Sequence, residues 1–372
     1  MIRTEHPRLS ACLIVRDEAR FLDACLDSLE GRVDEIVACD TGSRDGSLDL
    51  LRRRATVVIE RPWRDDFSLA RNAVLAVARG EWILCLDADE RLRTESDDLL
   101  RRALDAAEAL AYRLEVVDHV DASVAGTVGP ETVGPGGTTI LRLFRNRPDI
   151  RFTGRVHEQV SPAVAAVVER EPIWRVGPLA GVVIDHLGYD PSLKDQDQKR
   201  RRNLDLLRLE LAAAPDSPYH LYQLYRNDPG DREGQDALRK AAALVLAMPQ
   251  PRLRGLGYAH ALLTAAAFQW LRDGDAAAAE RAAGAAVHQF GDHPAALLAR
   301  ALALEKLARY GEALLYVERS FTVHLGDDAF TFEREPALHA ARLLRRRLRR
   351  RGRAGRGGRA DRAGRAGETF PV

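Results

Sequence analysis

The sequence predicts an α/β fold: a mostly parallel sheet with helices on both faces, followed by an all-α half and a disordered basic tail. Three observations predict it. Over the first ~120 residues, short apolar runs alternate with segments of helical spacing, the pattern of crossover-connected strands covered on both sides. From Lys194 onward the periodicity turns helical and stays so. From Arg342 to Val372, twelve Arg face only Asp361 and Glu368 in a stretch rich in Gly and Ala that cannot bury a core.

The elements follow in order. Leu9–Val15 is a short apolar run and the first strand; Glu18–Leu29 is a helix with Ala19, Leu22, Cys25, Leu26 and Leu29 along one face. Glu35–Cys39 is the second strand, and Asp45–Arg53 a helix with Leu48 and Leu51 on one side. Thr56–Ile59 is a strand, Phe67–Ala78 a helix and Trp82–Leu86 the fourth strand. Ser96–Leu110 reads as a helix, Tyr112–Val117 as a strand, Asp121–Thr138 as a Gly- and Pro-rich loop and Thr139–Phe144 as a strand. Ile150–Val160, Trp174 and Val182–Asp185 suggest further strands.

The helical half contains a repeat. Ala313 and Ser320 have counterparts thirty-four residues earlier in Ala279 and Ala286, and the turn Ala308-Arg309-Tyr310 matches Gly274-Asp275-Ala276 at the same offset. Small residues there let helices approach closely. A thirty-four-residue helix-pair period resembles the tetratricopeptide repeat, and such stacks serve as interaction or dimerising surfaces. The expected organisation is residues 1–192 as the α/β domain, 193–341 as the tetratricopeptide-like helical domain and 342–372 as the tail.

Composition narrows the class. With 372 residues, 46% hydrophobic and 30% charged, the chain has the make-up of an ordinary globular protein. No apolar run approaches the ~20 residues of a transmembrane helix. Only Ala11–Val15 is apolar before Arg16-Asp17-Glu18, too short for a signal peptide. Cys12, Cys25, Cys39 and Cys85 form no CxxC and read as reduced core residues, so a cytoplasmic location is expected. The net charge of +1 hides a tail surplus of ten, which leaves the rest of the chain at −9. An acidic body disfavours nucleic acid as a partner outside the tail.

The run Trp82-Ile83-Leu84-Cys85-Leu86-Asp87-Ala88-Asp89-Glu90 carries the most chemistry. Strand alternation would turn Asp87 and Asp89 the same way at a carboxyl strand end, where open α/β sheets bind ligands. Two hard oxygen donors with no Cys or His beside them suit Mg²⁺ or Mn²⁺ on a substrate phosphate. Asp40 ends the second strand, where a carboxylate can grip a nucleoside, and Gly42, Ser43 and Gly46 make a tight turn that a ligand can approach. Arg71, near a helix start, could offer a cation to a diphosphate. His157-Glu158 opens like HExxH, but Ser161 stands where the second His belongs, which disfavours a zinc protease.

Four motifs in register, Leu13-Ile14-Val15-Arg16-Asp17-Glu18, Asp40-Thr41-Gly42-Ser43-Arg44-Asp45-Gly46, Ala70-Arg71-Asn72 and Leu86-Asp87-Ala88-Asp89-Glu90, together resemble glycosyltransferase family 2 with its GT-A (Rossmann-like) fold. Leu143-Phe144-Arg145-Asn146, Phe152–Gln159 and Ile184–Tyr189 extend the resemblance to a subgroup in which tetratricopeptide-like helices follow the catalytic domain. That subgroup includes enzymes that glycosylate peptides in bacteriocin biosynthesis. The resemblance implies a bacterial, metal-dependent, inverting hexosyltransferase using a nucleotide-sugar donor, with UDP the expected nucleotide and a peptide or glycan as acceptor. It implies that Arg16, Glu18, Asp40, Arg71 and Asp87 bind the nucleotide sugar. Asp89, Asp87 and His186 would hold Mg²⁺ or Mn²⁺, and Glu158 would be the general base, with Asp89 also catalytic. The physics agrees: a divalent cation neutralises a departing diphosphate, and inversion needs a base opposite the leaving group. No QxxRW signature and no membrane span are present, so a single transfer is expected. The competing reading is an inactive GT-A-like adaptor, a protein-binding module whose helices recruit a partner or a second copy. A nucleotidyltransferase is disfavoured because Asp17-Glu18 stands where a Lys-bearing phosphate loop would follow the first strand.

Overall fold

The computed structural model describes residues 7–118, 138–187, 196–250, 253, 256–323 and 331–354. Contacts divide the chain into two compact units: residues 1–229 with 327–332, and residues 230–326 with 333–372.

The first unit is built on an eight-stranded sheet of order β3-β2-β1-β4-β7-β6-β8-β5. Strands β1 (Leu9–Val15), β2 (Glu35–Asp40), β3 (Val57–Glu60) and β4 (Trp82–Asp87) run parallel. Strand β7 (Thr138–Arg145) runs against both β4 and β6 (Ala109–Asp118), and β5 (Glu90–Thr94) runs against β8 (Arg175–His186). Strands β6 and β8 are parallel, so only β7 and β5 oppose the common direction and the sheet is mostly parallel as expected.

Period-two alternation sorts the apolar side chains into two cores. Leu9, Ala11, Leu13 and Val15 of β1 face the same side as Trp82, Leu84 and Leu86 of β4. There they meet Leu22, Leu26 and Leu29 of α1 (Ala19–Leu29), Leu51 of α2 (Ser47–Arg54) and Leu100 and Leu104 of α4 (Asp97–Asp105). Cys12, Ile83 and Cys85 face the other side and meet Val74 and Leu75 of α3 (Phe67–Val77) and Val164 and Val167 of α5 (Ser161–Arg170). All four cysteines are free and buried, as their scattered spacing suggested.

Several expectations need correction. Strand β4 ends at Asp87, and Ala88-Asp89 is a turn, so Asp89 is not on the strand. Strand β5, unforeseen, begins directly at Glu90 because β8 offers it a ladder in which Glu90 opposes His186. Residues 150–160 form no strand; an isolated bridge between Thr153 and Gln159 closes them into a loop. The loop expected at Asp121–Thr138 lies outside the described residues except for Thr138, which opens β7. Asp17 Oδ1 accepts from the Arg44 amide at 2.6 Å, while Ser47 Oγ and Asp45 Oδ2 accept from the Glu18 and Ala19 amides at 2.9 Å each. The loops after β1 and β2 are thereby tied together.

Helices α6 (Gln196–Ala213) and α7 (Pro218–Asn227) belong to the first unit, so the compact units divide at 229/230 and not at 192/193. The reason is polar anchoring. Glu210 of α6 accepts from the Arg155 amide at 2.5 Å, and Tyr219 and Asn227 of α7 both bond His157.

In the second unit, α8 (Arg232–Leu246), α9 (Ala259–Asp273), α10 (Ala276–Phe290), α11 (Pro294–Lys306) and α12 (Tyr310–Ser320) follow one another, and α13 is Thr331–Ala354. The thirty-four-residue offset has a backbone signature. Gly274 and Ala308, at matching positions before α10 and α12, both take left-handed φ, +86° and +60°. Ala279 and Ala313 are fully buried on the matching helices, as are Ala286 and, at 2% exposure, Ser320. The expected tail at 342–372 begins too early. Residues 342–354 are helical, and Leu344 and Leu348 pack with Leu304 and Val317. Those leucines recur at i and i+4, which gives this Arg-rich segment an apolar stripe. The remainder, 355–372, lies outside the described residues.

Candidate active site

The chemistry gathers at the carboxyl ends of β1, β2 and β4. Asp40, at the end of β2, is 3% exposed. Its Oδ1 accepts from the Gly42 and Ser43 amides at 2.9 and 3.1 Å, a turn that the positive φ of Gly42 (+108°) permits. Its Oδ2 is buried with no hydrogen-bond partner, an acceptor that costs about 1–3 kcal/mol if nothing ever meets it. The chain after β3 runs alongside. Arg61 and Trp63 amides donate to the Asp40 and Thr41 carbonyls, and Thr41, Arg61, Trp63, Asp66 and Leu69 line a shallow cleft.

A second cluster centres on Arg71, carried on α3. Asp66 caps that helix by accepting from the Leu69 amide at 3.0 Å. Arg71 is 6% exposed. Its Nε donates to Glu158 Oε1 at 2.5 Å and its Nη2 to Asp87 Oδ1 at 2.7 Å, so one guanidinium joins two carboxylates from distant segments. Asn72 beside it both donates to the Phe152 carbonyl and accepts from the Phe152 amide, each at 2.9 Å. The loop that carries Glu158 is thus pinned to α3.

Arg142 of β7 completes the cluster. Its Nη2 lies 2.6 Å from Glu90 Oε1 and 3.4 Å from Asp87 Oδ2. Glu90 Oε2 in turn accepts from the Asp87 amide at 2.8 Å. Burial works against ionisation of Asp87, but Arg71 and Arg142 outweigh it and hold this carboxyl well below the usual range. Burial pushes Glu90 up to about 7; Arg142 opposes that and the Asp87 charge adds to it. Sequence reasoning missed Arg142 and the buried role of Glu90.

Asp89 and His186 form a third group. His186 Nε2 stands 3.4 Å from Asp89 Oδ2, and the Leu187 amide donates to the Asp89 carbonyl at 3.0 Å. Glu18 is close by: burial, and then the Asp89 charge, push it up to about 7. Arg16 is exposed and lies 4.0 Å from Asp17. The fold therefore brings Arg71, Asp87, Glu158, Asp89, His186 and Glu18 to one edge of the sheet, with Asp40 at the neighbouring strand end.

The donor set around Asp89 fits a divalent cation. One carboxylate oxygen and one imidazole nitrogen are close enough to share an ion, and Mg²⁺ or Mn²⁺ takes its other ligands from phosphate and water. Among the described residues no group of three His, Cys, Asp or Glu could hold an ion by itself, so substrate oxygens would have to complete the shell. Asp87, expected as a metal donor, has its two oxygens directed at Arg71 and Arg142 instead.

Residues 10–176 match the family model for glycosyl transferase family 2. This segment is a glycosyltransferase family 2 domain. The chain is 40% identical over 212 residues to a TPR repeat-containing protein of Synechococcus elongatus, a match covering 57% of this chain and 50% of that one. It is 25% identical over 246 residues to the SPbeta prophage-derived glycosyltransferase SunS of Bacillus subtilis, covering 64% and 54%. The chain spans about half the length of the curated relatives it matches. Among solved structures, TarS 1-349 of S. aureus matches at 15% identity with a TM-score of 0.41, covering 77% of this chain and 92% of that one. The mannosyltransferase PcManGT of Pyrobaculum calidifontis, solved with GDP-Man and Mn2+, matches at 20% identity with a TM-score of 0.39, covering 92% and 88%. No helix among the described residues is long and apolar enough to cross a membrane.

Proposed function

We propose that the family 2 domain is a metal-dependent, inverting glycosyltransferase that takes a sugar from a nucleoside-diphosphate donor, UDP-linked in the first instance. The observation that carries this reading is the pairing of Asp89 with His186 next to the Arg71-bridged carboxylates Asp87 and Glu158. Asp40 supports the nucleotide: its buried, open Oδ2 suits an N–H on the edge of uracil, and the Trp63 cleft lies alongside.

Asp89 and His186 would hold Mg²⁺ or Mn²⁺, which supplies Lewis-acid neutralisation of the diphosphate as it leaves. This chain's own residues do the rest. Arg71 fixes one oxygen of Glu158, and the other takes the proton from the acceptor hydroxyl as that oxygen attacks the anomeric carbon. Asp87, held by Arg71 and Arg142, spaces the guanidinium from the Asp89 turn. Glu18 stays within reach of Asp89 and completes the acidic wall. The acceptor is a hydroxyl or thiol of a peptide or glycan, and the tetratricopeptide-like helices of the second unit supply a surface for recruiting it or for pairing with another copy. The domain works in the cytoplasm.

Calorimetric titration with UDP, UDP-glucose, UDP-N-acetylglucosamine and GDP-mannose in Mn²⁺ tests the reading. At least one should bind, more weakly in Asp40→Ala and Asp89→Ala, and release its nucleotide slowly to water. If none binds in the presence of metal, the reading is wrong.

A further inference from the structure

The loop that carries Glu158 is held from behind by α7. His157 sits in the left-handed region at φ +53°, a strained backbone for a residue with a Cβ. Gly154 in the same loop is also left-handed, at φ +101°. Glycine takes that conformation freely, whereas His157 needs outside support. The Tyr219 hydroxyl donates to the His157 carbonyl at 3.1 Å and is hydrogen-bonded as well to the side chains of Gln159 and Gln223. Asn227 Nδ2 donates to the Gln223 carbonyl at 2.8 Å and meets His157 Nε2 at 3.2 Å. An amide N–H on Nε2 requires a neutral ring with its proton on Nδ1. Burial, with Arg226 and His220 adding to it, lowers His157 to about 4, so the ring is neutral through the physiological range. The residues on either side of Glu158 are therefore both tied to one hydroxyl on α7. Opposite, Arg71 and Asn72 of α3 hold Glu158 and Phe152.

We infer that Tyr219, Asn227 and His157 are positioning residues: α7 locks the Gly154–Gln159 loop so that Glu158 meets Arg71 and the incoming acceptor in one fixed geometry. This rests on the proposed role of Glu158. It also makes α7 part of the catalytic unit and not of the helical repeat. The coupling is economical. One hydroxyl and one amide set a strained turn, and a base held to within ~0.5 Å is what transfer demands.

Two measurements on the full chain test it together. Amide hydrogen exchange follows the Thr153, Arg155 and Gln159 N–H groups, all hydrogen-bonded in the closed loop. Manganese-dependent nucleotide release from whichever nucleotide sugar binds follows turnover, with water as acceptor. In Tyr219→Phe and His157→Leu these three amides should exchange at least ~10-fold faster while α7 itself stays protected. The kcat should fall ~10–100-fold with donor KM within about twofold, the range of a misplaced base. His157→Gln places an oxygen near Nε2 and should keep most of the rate and of the protection. Unchanged exchange in both disrupting variants overturns the inference whatever the activity does; faster exchange with unchanged kcat overturns it too. Glu158→Gln separates the two ideas. If that variant keeps the wild-type kcat, the base assignment is what has failed; if it is inactive and Tyr219→Phe is not, the clamp is.

Discussion

Arg71→Leu is the sharpest test of how this site is held together. Leucine fills part of the space but leaves Asp87 and Glu158 facing each other without the cation that joins them at 2.7 and 2.5 Å. Removing one partner from a buried ion pair costs about 3–5 kcal/mol, because the other charge stays desolvated. Glu158 is 12% exposed and Asp87 36%, so water screens the second pair, and Arg142 at 3.4 Å still serves it. The loss should lie at the low end, about 3 kcal/mol at pH 7. The pH dependence has a definite sign. In the wild type, Asp87 has its folded pKa depressed, so its stabilisation is full above the unfolded value and fades as the pH falls through the folded one. In the variant, burial acts with the cation gone, the carboxyls shift upward, and taking up a proton relieves the penalty. The gap between the two proteins should therefore shrink from pH 7 to pH 5. Urea denaturation followed by tryptophan fluorescence reads this, since Trp63, Trp82 and Trp174 all lie in the first unit. A loss under about 1 kcal/mol at pH 7, the range of a surface pair, or a gap that does not change with pH, would refute the reasoning. Arg71→Lys should not rescue it, because a single ammonium cannot address two carboxylates from fixed directions.

Three other outcomes are expected. Gly80→Ala should cost about 1–3 kcal/mol in thermal melts, because a Cβ there would stand 2.5 Å from Ser10 Oγ and 2.6 Å from the Ser10 amide nitrogen. Asp89→Ala should lower nucleotide release ~10³-fold, about 4 kcal/mol of barrier, with circular dichroism unchanged. Chelator should do the same to the wild type, and Mn²⁺ should restore only the wild type. In the second unit, burial and then His260 lower His293 from 6.5 to about 4, so the unfolded chain binds more protons in that interval and stability falls as the pH drops through it. His293 caps α11 by accepting from the Ala295 amide at 3.3 Å, and His293→Asn keeps a cap while flattening that slope in urea melts that follow Trp270.

Much of this was legible in the chain. Apolar runs placed β1, β2, β3 and β4 to within a residue or two, because β1, β2 and β4 are short and buried on both faces and β3 is a half-buried edge strand. Asp40 and Asp87 could be singled out because acidic residues that end apolar runs are costly without a purpose, and Asp89 by its spacing from Asp87; Glu158 came only from the resemblance to glycosyltransferase family 2. The offset between Gly274 and Ala308 was visible as a repeat, and the matching left-handed turns explain it. What the sequence hid were the boundaries set by tertiary polar contacts. Helices α6 and α7 look like the rest of the helical half, yet contacts such as those of Glu210, Tyr219 and Asn227 attach them to the sheet domain. Nothing local distinguishes a helical Tyr that bonds a distant carbonyl from one that faces water.

Strand direction explains why Arg142 escaped notice and why the site closes as it does. A parallel neighbour would bring its last residues to the carboxyl end of β4. Strand β7 is antiparallel, pairing Trp82 with Arg145 and Leu84 with Leu143, so its beginning lies there instead. Arg142 is the next residue along and reaches Asp87 and Glu90. The same logic applies at the far edge. Strand β5 starts one residue after the Ala88-Asp89 turn and runs against β8, so the end of β8 returns His186 to the start of β5. Reversing β7 would move Arg142, and reversing β8 would move His186, to the opposite end of the sheet. The reversal of β7 therefore gives the row of strand-end carboxylates its cation, while β8, running in the common direction, ends on its imidazole.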